Sequence, residues 1–194
     1  MGLEWCDKHK HSYYRTISRS FLMRDCGGSG TMTGTRTPRI ELYVRSLLPD
    51  GAHDRQDTVI ERLQELNAED EIEDFSVIVW GKQIARDSAG ARTEEGEYIL
   101  NRVAEFKQWA LSNNVSLEAF YQNHTVGNDV TDEPYSAMTL PVMGLAEYDG
   151  EELQHVAPCS NGDEIHTIVD RLGRLERGEP TAIEQSNDIS ILSD

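Results

Sequence analysis

The spacing of apolar positions changes repeatedly along the chain, and each change marks an element. Ile40-Glu41-Leu42-Tyr43-Val44 is a short apolar run that reads as a strand, and Asp54 to Leu66 carries Val59, Ile60, Leu63 and Leu66 at helical spacing. Phe75 to Trp80 is nearly continuous in apolar and β-branched residues, the pattern of an interior parallel strand covered on both faces. Together they predict a βαβ unit with a right-handed crossover. Thr93 caps a second helix, with Glu94 and Glu95 where carboxylates meet free backbone N–H groups and the positive dipole end. Ile99, Val103, Phe106 and Ala110 form its buried stripe, and Asn113-Asn114 ends it. Leu117 to Val126 alternates like an edge strand turned by Gly127-Asn128-Asp129. Met138 to Glu147 and Glu152 to Val156 flank Asp149-Gly150, a strong hairpin signal. A last helix is expected from Asp163 to Leu175, capped by Asp163 and Glu164 and burying Ile165, Ile168, Val169, Leu172 and Leu175.

The predicted order is β-α-β-α-(β)-β-β-α. A ferredoxin-like sheet, with helices on one face, and an α/β thioredoxin-like sheet, with helices on both faces, accept that order. The continuous apolar character of the early strands favours the second.

Composition sets boundaries around this body. With 194 residues and 38% hydrophobic content, the chain can bury one sizeable core, expected over residues 36–178. The net charge of −17 divides into +2 over residues 1–31 and −19 over the rest. Gly27 to Thr31 marks the break, so residues 1–35 are expected to be a flexible arm or an upstream extension ahead of a true start near Met32. Gly178-Glu179-Pro180 should stop the last helix and leave residues 179–194 as an acidic, disordered tail. No apolar run reaches the roughly 18 residues that a membrane span needs. Phe21-Leu22-Met23 is too short for a secretory signal, so the expectation is a cytoplasmic protein.

Candidate chemistry is sparse. Cys159, ahead of an expected helix N-terminus and with His166 near it, is a candidate catalytic thiol, because helix N-termini depress thiol pKa values. Its competing role is a small, inert, buried residue. Cys6, His9, His11 and Cys26 are zinc-type ligands, but their spacing matches no regular zinc module. No glycine-rich phosphate loop, His-Glu-x-x-His helix or Gly-x-Ser-x-Gly elbow occurs, so no cofactor is expected.

Three stretches resemble the active-site frame of glutaredoxin-like and thioredoxin-like proteins. Leu48-Pro49-Asp50-Gly51 stands where that family carries Cys-Pro-x-Cys, keeping the proline and lacking both sulfurs. Thr139-Leu140-Pro141-Val142 resembles the family's strand-initiating cis-proline. Pro158-Cys159-Ser160-Asn161-Gly162-Asp163 resembles the turn that holds a glutathione carboxylate at a helix N-terminus. The resemblance implies a redox-inactive scaffold that uses these three segments to hold a peptide or partner protein. Residues 36–176 are also similar to small acidic haloarchaeal proteins, through Arg39 to Ser46, Arg55-Gln56 and Val156 to Pro158. Those proteins often carry a helix-turn-helix label, which implies DNA-binding regulation. The residues lend it little: the two early helices are separated by a strand, and Asp163 to Gly178 mixes Arg171, Arg174 and Arg177 with four acids. The resulting expectation is a non-enzymatic regulatory or binding protein, with a DNA-binding regulator and a single-thiol protein acting through Cys159 as alternatives.

Overall fold

The computed structural model describes residues 37–47, 53–85, 92–128 and 132–179. Twelve elements follow one another: β1 Arg39–Val44, α1 His53–Ala68, β2 Asp74–Val79, β3 Gln83–Ala85, α2 Glu94–Ser112, β4 Gln122–Asn128, β5 Asp132–Thr139, β6 Met143–Asp149, β7 Glu152–Ala157, β8 Cys159–Asn161, β9 Glu164–His166 and α3 Ile168–Leu175. The expected arm, the tail from Pro180 and the Leu48–Gly51 loop lie outside the described residues. Among the described residues, no helix is long and apolar enough to cross a membrane.

β1 organises the mixed α/β body. It runs parallel to β2 and antiparallel to β6, and β6 pairs with β7, giving the order β2-β1-β6-β7. Strand residues alternate between faces, so β1 feeds two cores. Ile40, Leu42 and Val44 pack with Val59, Leu63 and Leu66 of α1 and Leu172 and Leu175 of α3. Tyr43 packs with Val103 and Phe106 of α2 and with Trp80. Helices therefore cover both faces of this sheet, which is why β1 is buried from Ile40 to Val44. Gly144 opposes Tyr43 across the sheet, and a Cβ there would stand 2.6 Å from the Trp80 ring, so only glycine admits that indole.

The element boundaries depart from the sequence expectations in several places. Met138 to Glu147 is not one strand: β5 belongs to a second sheet, β3-β5-β4, and β6 to the first. Leu140 to Val142 makes the crossing, where proline offers no ladder donor. The alternating stretch from Leu117 begins as a turn, with Tyr121 N–H donating to Leu117 O, and becomes strand only at Gln122. Most consequential, the expected helix from Asp163 starts five residues late. Gly162-Asp163, with Gly162 at φ +60°, turns a hairpin between β8 and β9 that the Asn161–Glu164 pair closes. Thr167 then caps α3, its hydroxyl accepting from Asp170 N–H while the Asp170 carboxylate accepts from Thr167 N–H. Asp163 and Glu164 cap nothing. Ile165 and Val169, expected in the core, are each 57% exposed, and the buried stripe becomes Ile168, Arg171, Leu172 and Leu175.

Candidate ligand-binding cleft

The C-terminal end of β1 and the first turns of α1 and α3 meet the β5–β6 crossing at one open cleft of about 790 Å³. Open α/β sheets bind ligands in this position, outside the carboxyl ends of parallel strands. The helical repeat of α1 turns Arg55, Thr58, Val59 and Arg62 toward it. The crossing contributes Thr139 to Met143, β4 and its preceding turn contribute Phe120 and Gln122, and Pro158, Thr167, Ile168 and Val169 close the far side. Val142 and Val169 are both more than half exposed, so the cleft has an apolar rim. Among the described residues, three arginines, Arg45, Arg55 and Arg62, share the lining with one acid, Asp54. That local excess of positive charge stands out in a chain of net charge −17.

The crossing is held rigidly from within. Leu140 N–H donates to Lys82 O, and the carbonyls of Leu140, Pro141 and Val142 accept from Arg45 Nη2, Trp80 Nε1 and Arg45 N–H at 3.0, 3.1 and 2.9 Å. The Leu140–Pro141 bond is trans, so the likeness to the cis-proline frame does not extend to this bond; the cis bond among the described residues is Ala157–Pro158, also in the cleft wall. Arg62 is committed to Glu176 at 2.6 Å. Arg45 spends one amino group on Leu140, and its buried Nε has no partner among the described residues.

Of the residues expected to bind, Thr139, Leu140 and Pro141 line the cleft, whereas Leu48, Pro49, Asp50 and Gly51 lie outside the described residues. So do the zinc-type candidates Cys6, His9, His11 and Cys26; among the described residues no cluster could hold a metal ion. Ser160, Asn161 and Gly162 sit in the β8–β9 hairpin away from the cleft lining, where Ser160 pairs with Ser116 through two backbone hydrogen bonds. The arginines and Phe120 were not expected, although Arg45 directly follows a buried strand and Arg55 and Arg62 share one helical face.

Cys159 does not match the reactive environment expected of it. It lies opposite His166 in the hairpin, is fully buried in the α2-side core, and burial pushes its thiol up to about 11. The helix whose N-terminus was to activate it begins nine residues later. In the full chain at pH 8, alkylation of Cys159 should therefore be at least tenfold slower than in urea-unfolded protein. Peptide mapping after iodoacetamide labelling measures this, and equal rates would return the thiol to candidacy.

Buried charge is concentrated elsewhere. Glu147 of β6 and Arg171 of α3 form a bidentate pair at 2.7 and 2.8 Å, with side chains 1% and 2% exposed. On the opposite face Glu41 accepts from Tyr43 Oη at 2.5 Å and from Arg39 at 2.6 Å, with Arg102 at 3.4 Å. Beside Arg171, His155 and His166 line a cavity of about 20 Å³, with His155 Nδ1 and His166 Nε2 lacking partners among the described residues. Burial, then Arg171, His166 and Arg174, push His155 down to about 3, so its ring is neutral.

Residues 32–180 match the family model described as a helix-turn-helix domain. No curated protein and no solved structure matches the chain.

Proposed function

The chain belongs to the helix-turn-helix domain family, and we propose that its α/β body serves there as a non-enzymatic binding or regulatory module, built on a thioredoxin-like plan without thiol chemistry. The observation that carries this reading is the cleft, which is concave, lined largely by apolar side chains and of the volume that small-molecule sites have. The order β2-β1-β6-β7, with β1 and β2 parallel and helices on both faces, supports the thioredoxin-like plan. The buried Cys159 supports a role other than thiol exchange. A partner protein or peptide is one occupant the cleft could receive through its apolar rim.

Nile red, a neutral apolar dye, tests the cleft independently of charge. Wild type should bind one dye per chain with blue-shifted emission, and Val142→Glu/Val169→Glu should weaken binding at least tenfold without changing the melting temperature. Both positions are exposed, so neither charge enters the core. Equal binding by the double variant would remove the cleft from consideration.

The family description favours a second reading, a nucleic-acid-binding regulator. Its usual motif needs two consecutive helices joined by about three to four residues. Here β2 and β3 separate α1 from α2, and the helix packed against α1 is α3, from the far end of the described body. A retarded duplex DNA band, seen in both 0.1 M and molar salt and lost on changing Arg55 and Arg174, would favour that reading.

A further inference from the structure

We infer that the cleft takes a small amphipathic carboxylate, with the anionic group at Arg45 and Arg55 and the apolar body against Phe120, Pro141, Val142 and Val169. This rests on the cleft being the binding site, and adds the chemistry of what enters it. Volume comes first: about 790 Å³ suits a single medium-sized molecule. Charge comes second. Arg62 is engaged by Glu176, but Arg55 makes no ion pair among the described residues, and Arg45 has donors to spare beyond Leu140 O. Against them stands, among the described residues, only the Asp54 carboxylate on the lining, so the cleft favours an anion while most of the surface repels one. Planar guanidinium forks match carboxylate geometry, and a buried Nε without a partner marks unused donor capacity beside the site.

The backbone argues against an extended peptide. Binding a strand in the manner of β-augmentation requires free main-chain donors and acceptors. In the crossing the carbonyls of Leu140, Pro141 and Val142 and the N–H of Leu140 are already bonded within the fold, and Pro141 has no N–H. What the crossing itself leaves for a ligand is side-chain surface, and the rest of the lining adds apolar side chains and the arginines.

Decanoate, decanol and decylamine, which share one chain and differ in headgroup, provide the test by competition with Nile red on the full chain in 0.1 M salt. Decanoate should displace the dye about tenfold more effectively than decanol, a difference in keeping with a charge-assisted hydrogen bond. Decylamine should be the weakest. Arg55→Gln, at an exposed position, should erase most of the decanoate advantage while leaving decanol unchanged. If Nile red fails to bind, the cleft reading itself falls. If the dye binds but decanol equals decanoate, or decylamine surpasses it, only the carboxylate assignment is overturned. An acetylated apolar tetrapeptide acid competing more strongly than decanoate would overturn the small-ligand assignment in favour of a polypeptide end.

Discussion

Replacing Arg171 with methionine will lower the unfolding free energy by about 3–5 kcal/mol, the cost of breaking a buried ion pair and stranding one partner. The pair joins α3 to the centre of the main sheet: Arg171 Nε and Nη2 meet the two Glu147 carboxylate oxygens, and both side chains are shielded from water. Without the guanidinium, the Glu147 charge stays buried beneath α3 with its bidentate partner gone. The double change Glu147→Leu/Arg171→Met should be much less destabilised than Arg171→Met alone, because it removes the stranded charge and leaves apolar side chains of similar volume. Urea unfolding of wild type, both single variants and the double variant measures the coupling. A double variant as unstable as the sum of the singles would show that the two residues do not act as a pair.

His155 makes the same corner sensitive to acid. Its folded-state pKa is about 3, depressed first by burial and then by Arg171, His166 and Arg174, against about 6.5 in an unfolded chain. Above pH 6.5 the ring is neutral in both states and its contribution to stability is complete. As pH falls from 6.5 toward 3, the unfolded chain takes a proton that the folded chain refuses, and about 1.4 kcal/mol is lost per pH unit. Asp170, held below its usual range by its bonds to Thr167, and Glu176, held there by Arg62, lose their contributions only at lower pH, in the carboxylate range. The window from pH 6 to 5 therefore belongs mainly to His155. His155→Phe keeps an aromatic ring edge-on to Trp109 and removes the titration. Urea unfolding at pH 7, 6 and 5 should show wild type losing about 1.4 kcal/mol per unit more than the variant across that window. Parallel profiles would place the acid sensitivity elsewhere.

Much of the body was legible in the sequence because local period and burial agree there. β1, α1, β2 and α2 each present one clear pattern, and Thr93 caps α2 as its sequence suggests, accepting from Gly96 N–H. The β6–β7 hairpin followed from Asp149-Gly150, with Gly150 at φ +62°. The region from Cys159 to Leu175 misled because Ile165, Ile168, Val169 and Leu172 fit a helical repeat on their own. Gly162-Asp163 is the competing hairpin signal, and strands of only three residues on either side gave it little apolar support. Starting the helix late also explains why an arginine lies in the buried stripe: a charge at a core position reads as an error until Glu147, 24 residues earlier, is brought against it. The cleft was half visible for a similar reason. Pro141 marks a strand start in any reading, but Arg45, Arg55, Phe120 and Val169 come from separate elements that only the tertiary fold assembles.

The proposed binding site is the cleft beside Pro141. Backbone amide shifts of the full chain, recorded by NMR while decanoate and then decanol are titrated in, locate what the ligand touches. The expected changes concentrate at Thr139, Leu140, Val142 and Met143, at Thr58 and Val59, and at Thr167 to Val169, and saturate together. Changes scattered over the surface, or centred on α2 or on the far end of the β4–β5 hairpin around Thr125 and Val126, would contradict it.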